Sequence, residues 1–475
     1  TVRYGTDASI ITNSTATYNT AGQLVGSGNG MGNPTTYTSF FDGSGYRVEV
    51  TTLPDTTTRT NRYFRDGQPY QSFGSGVFPV TFGYGVTNDG AGRMTTLEQR
   101  GSSTEWTLTI RDMIGRHYKT LYASPATPHP FSQSMYYTNM DTLLRTVAPD
   151  GSMTQHVLDT GNESPWWAAY AIHNQVTSET VLDLNRNRSI DLAGTDRISQ
   201  RSDDHVESEL FGVTVRRALS YEWGVDGEDS PVTNSTTETT MDGLHSVTVR
   251  YGLTNRTDTV LAGGGTRYVT NTLPDGTYTL STFKDGRLLS SETINPQLGT
   301  LNLVTVGYDA HGRHNKMTNP ANGTVTTYEY DKADRATNVI VSASGLDDQS
   351  SKTIFDNMGR VERTIEPDGT SKTNEYYSTG LLKKKTGSRE YPVQYAYDSQ
   401  GRMTNMTTWQ SYPSSGAATT VWQFDAYRGF MTNKICDGGA NGPAYTYDDA
   451  GRPTQRTWAR GTNTTYTYND AGEVL

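Results

Sequence analysis

Aromatic and polar positions alternate along this chain with a period of two. Tyr328-Glu329-Tyr330, Tyr395-Ala396-Tyr397, Tyr445-Thr446-Tyr447 and Tyr466-Thr467-Tyr468 each set two tyrosines on one face of an extended segment, with a small or polar residue between them. Thr, Val and Tyr dominate the runs in between, as suits a pleated, half-buried surface. Turn signals bound these runs. Pro149-Asp150-Gly151, Pro274-Asp275-Gly276 and Pro367-Asp368-Gly369 pair a residue with preset φ with one that tolerates positive φ, and Pro320 to Gly323 is a longer variant. The pattern predicts strands of roughly six to eight residues joined by tight turns. The expected fold is all-β, a long antiparallel meander of hairpins.

A second turn signal recurs at a fixed interval. It reads aromatic, Asp, two free positions, Gly, Arg: Tyr308-Asp309-x-x-Gly312-Arg313, Phe355-Asp356-x-x-Gly359-Arg360, Tyr397-Asp398-x-x-Gly401-Arg402 and Tyr447-Asp448-x-x-Gly451-Arg452. Weaker copies begin at Tyr330-Asp331, Tyr377-Ser378, Phe424-Asp425 and Tyr468-Asn469. The period is about 23 residues, which marks a repeat architecture. Asp at the first turn position and a left-handed Gly at the fourth make a type I turn closing a bulged three-residue hairpin loop. Paired carboxylates serve glycosidases, but carboxylates that recur at one turn position are assigned to turn capping. Each Arg is expected to pair with the Asp of a neighbouring turn.

At this spacing the motif resembles the YD repeat of Rhs proteins, teneurins and the shell components of insecticidal toxin complexes. Four near-ideal copies lie within residues 300–475. Degenerate copies lie within 1–154, at Tyr18-Asn19-x-x-Gly22, Asp89-x-x-Gly92-Arg93 and Asp112-x-x-Gly115-Arg116, and a shortened form at Phe283-x-Asp285-Gly286-Arg287. The resemblance implies one continuous sheet wound into a spiral that forms part or all of a hollow β-shell, or cocoon.

Composition agrees with a thin sheet. Hydrophobic residues make up only 33% of the chain, yet it holds 30 Tyr and 48 Gly. Mean hydropathy is −0.65, which would favour disorder were it not for the strict repeat. A single sheet with both faces near solvent relies on cross-strand Tyr and Thr pairs more than on an apolar core. Repetition favours one quasi-continuous body over separate domains. Residues 1–154 read as degenerate repeats, 155–245 as an irregular acidic insertion and 246–475 as regular repeats. No apolar run is long enough to span a membrane. Thr1 reads as lying within a strand and Leu475 within a repeat, so the sequence is expected to be a piece of a longer chain. Cys436 is the one cysteine, which excludes an internal disulfide framework. The net charge of −10 argues against nucleic-acid partners.

The middle stretch holds the remaining candidates. Thirteen acids against six Arg fall within 183–242. Asp183-x-Asn185-x-Asn187-x-Ser189-Ile190-Asp191 resembles the start of a calcium loop, so Asp183, Asn185, Asn187 and Asp191 are candidate Ca2+ ligands. Arg188 stands where the sharp-turn Gly belongs and Gly194 where the bidentate acid belongs, with Asp196 just beyond. A polar loop that caps its own backbone is the alternative. Trp166 and Trp167 sit in a helix opened by Ser164 and Pro165 or in an aromatic strand; as a solvent-facing pair they would stack on sugar rings. His156, His173 and His205 lack metal-binding spacing, and no nucleophile elbow accompanies them. No catalytic residues or cofactor site are assigned.

The resemblance implies a structural role: a β-shell segment of a secreted or cell-surface bacterial protein, whose parent encloses or presents a C-terminal toxin or effector. The implied partners are that effector and secretion-system components. An extracellular adhesin or carbohydrate-binding scaffold is the alternative, and a polysaccharide-active enzyme a third. Unpaired strand edges would also permit self-association.

Overall fold

A computed structural model of the chain describes residues 2–3, 10–12, 14–101, 103–136, 143–157, 176–187, 194, 196–223, 231–470 and 472–475. The described residues are almost entirely β, with a single-turn 3₁₀ segment at Asp437–Gly439. From Ser14–Tyr18 to Asn463–Thr465 the strands form one long antiparallel sheet. Each described pairing joins sequence neighbours, and no described pairing links the first of these strands to the last, so the sheet is open. A separate two-stranded pair joins Val2–Arg3 to Ile10–Ile11.

The turn chemistry dictates the register. At three of the near-ideal motifs the aromatic residue pairs one position late: Phe355 faces Val361, Tyr397 faces Met403 and Tyr447 faces Pro453, each with a register shift beside it. The extra residue is the bulge that a type I turn plus left-handed Gly requires. Gly312, Gly359, Gly401 and Gly451 hold φ between 81° and 85°. The Pro-Asp-Gly turns have the same closure. Gly369 N–H donates to Glu366 O at 2.9 Å and Glu366 N–H to Thr370 O at 2.8 Å, which places Pro367 at the second position, where its fixed φ fits. The shortened copy differs. Asp285 and Gly286 both have positive φ, 50° and 82°, in a two-residue loop between Lys284 and Arg287, the backbone of a type I′ hairpin.

Two compact units divide the chain, the first comprising 1–131, 308–316 and 325–466, the second 132–307, 317–324 and 467–475. In the first unit few side chains are fully buried, Val48, Ile110 and Ala123 among them. Most strand residues there are half-exposed on both faces, as a thin sheet demands. The second unit concentrates its packing. Ile198, Leu219, Tyr221 and Trp223 form one buried cluster on Arg197–Glu207, Thr214–Glu222 and the residue just after it. Within 155–245, where an irregular insertion was expected, the described residues contribute the strands Val176–Asp183, Arg197–Glu207, Thr214–Glu222 and Val232–Thr240, paired in order. At up to eleven residues they run longer than six to eight. Long strands with alternating buried positions supply the apolar face that short YD hairpins lack.

Candidate functional site in the repeat turns

The motif Asp makes three bonds in each near-ideal copy. Asp309 Oδ1 accepts the backbone N–H groups of His311 and Arg313 at 3.0 and 2.8 Å, and its Oδ2 accepts Arg313 Nε–H at 2.7 Å. Asp356, Asp398 and Asp448 repeat this set with Arg360, Arg402 and Arg452, with no bond longer than 3.0 Å. Asp331 with Arg335 and Asp112 with Arg116 make the same bonds. The degenerate copies keep what their residues allow. Asn19 Oδ1 accepts from Ala21 and Gln23, with Gln23 in the Arg position. At Asp89 the loop closes more widely, from Thr87 to Arg93.

Each motif Arg thus makes a salt bridge inside its own turn, and at Arg313 the expected pairing with an Asp of the neighbouring turn is made as well. The reason is reach. A guanidinium four residues on and held by the bulge meets its own carboxylate with Nε, which frees its Nη atoms to point elsewhere. Those atoms cross to the neighbour: Arg313 Nη1 donates to Asp334 Oδ1 at 2.8 Å, and Arg360 Nη1 reaches Tyr377 O at 3.5 Å. The guanidinium also lies over the next aromatic. Its carbon is 4.8 Å from the Tyr330 ring centre for Arg313, 4.3 Å from Phe355 for Arg335, 4.6 Å from Tyr376 for Arg360 and 4.7 Å from Phe424 for Arg402. Each such contact contributes about 0.5–1 kcal/mol.

The aromatic closes the link. Tyr376 Oη donates to Val361 O at 2.9 Å, Tyr397 Oη to Leu382 O at 3.0 Å and Tyr447 Oη to Met431 O at 2.6 Å, and Tyr330 Oη donates to His314 O. The acceptor each time is the first residue after the preceding turn. The motif is thus a two-way clamp, carboxylate to guanidinium within a turn and guanidinium to ring, ring to carbonyl, between turns. Burial pushes the Asp309 and Asp331 carboxyls up, but the backbone N–H groups and guanidinium that face each of them outweigh it and hold both below the usual carboxylate range. Burial pushes the Tyr330, Tyr397 and Tyr447 phenols up.

The other candidates fare differently. Asp183 and Asp196 are both buried, at 1% exposure. Asp183 Oδ1 accepts Asn187 N–H at 3.2 Å, Asn185 Oδ1 accepts the same N–H at 3.0 Å, and Asp196 Oδ1 accepts Leu184 N–H at 3.0 Å. Asp191, Trp166, Trp167 and His173 lie outside the described residues. Among the described residues no group of three or more His, Cys, Asp or Glu gathers in a metal-binding arrangement; His156 faces Thr180 and His205 faces Arg216 across the ladder. No described helix is long and apolar enough to cross a membrane. Sequence reasoning missed the contacts that layer the first unit on itself. Thr104 Oγ1 donates to Ala426 O, 322 residues away, and Glu105 pairs with Arg402 at 2.7 Å. No local signal could have found such contacts, because they join positions about three hundred residues apart.

These turns and pairings define a hairpin-repeat β-sheet protein. The RHS Repeat family model matches residues 308–346, so the chain carries YD repeats of the Rhs type. A Photorhabdus luminescens Tc holotoxin pore shares the fold, with a TM-score of 0.57 and 11% identity over 97% of this chain and 26% of that one. The TcdB2-TccC3 structure is also similar, at 11% identity over 98% of this chain and 34% of that one, but with a TM-score of 0.35. This chain therefore spans about a quarter to a third of the length of those proteins. No curated protein sequence matches it.

Proposed function

We propose that this chain is a wall segment of a secreted bacterial Rhs-type β-shell, and that its parent protein encloses a C-terminal effector. The observation that carries the reading is the inter-turn clamp. Repeated from Asp309 to Arg452, it stiffens a sheet that has little buried core, which is the mechanical requirement of a thin wall. The fold shared with the Tc holotoxin pore supports the same role. In this reading the turn-motif residues Asp309, Gly312, Arg313 and their counterparts do structural work, and the effector is the principal partner.

The test is protease protection of the natural full-length protein. A C-terminal segment that resists digestion while the repeats are folded, and is cut once Asp356→Ala and Asp398→Ala together loosen them, is the expected result. Equal digestion of that segment in both proteins would remove enclosure from the reading and leave an open scaffold.

A further inference from the structure

A cleft of about 360 Å³ opens in the first unit, with Trp106, Tyr122, Tyr427, Arg428 and Phe430 in its wall. It joins segments far apart in sequence, and its volume falls in the range of small-molecule sites. Arg428 is one of its lining residues. The guanidinium carbon lies 4.9 Å from the Tyr122 ring centre and 4.8 Å from that of Phe430. One Nη donates to Asp449 O.

The charges around it are unequal. Glu98 is engaged by Arg100 at 3.3 Å, and Glu105 by Arg402 at 2.7 Å. Among the described residues no carboxylate stands within ion-pair distance of Arg428. On a chain of net charge −10 that is an unusual position for a guanidinium, which favours a planar carboxylate partner held by two parallel N–H donors. Tyr427, in the same wall and in no ring contact among the described residues, offers a flat apolar face of the kind that pyranose rings cover. Glu98 and Glu105 add acceptors that sugar hydroxyls can donate to.

We propose that this cleft binds a carboxylate-bearing sugar ring, a uronic-acid residue of a glycan. The site is separate from Trp166 and Trp167, and it does not depend on whether the parent encloses an effector.

Isothermal titration of the whole chain with galacturonic acid, trigalacturonate, glucose and acetate tests it. Trigalacturonate should bind saturably, and glucose and acetate at least about tenfold more weakly, since neither supplies both ring and charge. Arg428→Gln and Tyr427→Ala should each lower trigalacturonate affinity at least about tenfold, Tyr427→Ala with an unchanged melting temperature and Arg428→Gln with a lowered one, since it also loses its ring and Asp449 contacts. Tyr427 is engaged in its turn only through its backbone N–H on Asp425, so its variant carries the test even if Arg428→Gln fails to fold. Absence of saturable trigalacturonate binding would overturn the proposal. So would acetate binding as tightly as trigalacturonate, which would make it a bare anion site, or unchanged affinity in Tyr427→Ala.

Discussion

The stretch from Tyr308 to Arg452 and the stretch from Arg197 to Glu222 solve the same problem in opposite ways. Both belong to an antiparallel meander, and a meander of short strands exposes two faces. The repeats of the first unit leave their strands half-exposed and clamp turn to turn through Asp, Arg and Tyr. The second unit's strands are longer, alternate buried and exposed positions, and bury Ile198, Leu219, Tyr221 and Trp223 together. Stability in the first is distributed over many polar contacts of about 1 kcal/mol each. In the second it is concentrated in one apolar cluster. Loss of a single residue should therefore be felt very differently in the two.

The largest effect is expected in the cluster. Trp223→Ala should destabilise the second unit by about 3–5 kcal/mol, the cost of an aromatic cavity. In hydrogen exchange, amides of Arg197–Glu207 and Thr214–Glu222 should lose protection while those of Ser371–Tyr376 keep theirs. Equal loss in both would show one cooperative body and dissolve the contrast. Next comes Asp356→Ala. It removes three bonds of one turn and leaves Arg360 with only its neighbour contacts, so a loss of about 2–3 kcal/mol is expected in denaturant titration. A loss below about 0.5 kcal/mol would mean that the clamp is decorative.

Glycine substitutions separate backbone from packing. Gly380 and Gly401 have φ of 88° and 83°, but a Cβ at Gly380 meets open space whereas one at Gly401 would lie 3.0 Å from the Phe78 ring. Gly380→Ala should cost about 1 kcal/mol for the left-handed backbone alone. Gly401→Ala should cost measurably more, and equal melting temperatures would show that the first unit is soft at that contact. A smaller loss belongs to Tyr376→Phe. It deletes the donor to Val361 O but keeps the ring under Arg360, so about 1 kcal/mol is expected from denaturation.

Much of this was legible in the sequence because the turn residues encode local geometry. Asp309, Gly312 and the Pro-Asp-Gly triplets fix φ and hydrogen bonds within five residues, and alternating Tyr fixes which face they share. The bulge and the left-handed Gly follow from those residues alone. The Arg partners followed only in part, since an Arg side chain reaches both its own carboxylate and the next turn, as Arg313 does, and spacing cannot choose between them. The cluster around Trp223 escaped notice because Ile198, Leu219 and Tyr221 are scattered among the acids of 183–242, and charge hid the alternation. The cleft at Arg428 was out of reach altogether, being assembled from residues more than three hundred positions apart.

The smallest expected effect is electrostatic and separates an exposed pair from the half-buried clamps. Glu473 receives both Nη atoms of Arg197, at 2.7 and 2.5 Å. The hydrogen bonds from Arg197, then from Asn469, lower its carboxyl from 4.5 to about 2. A carboxyl lowered on folding stabilises fully above its unfolded value and loses that contribution as pH falls through its folded one. The second unit should therefore lose this increment between about pH 4.5 and pH 2, and a Glu473→Gln variant should show a flatter acid limb in melting temperature against pH. Because the pair is exposed, added salt should shrink the difference between the two proteins. Asp309 and Asp331, held low inside the first unit's turns, lose their contribution as pH falls below the usual carboxylate range, but salt screens partly buried pairs much less. An acid limb equally salt-sensitive in Glu473→Gln and Asp309→Asn would show that the turn clamps are as solvent-screened as a surface pair.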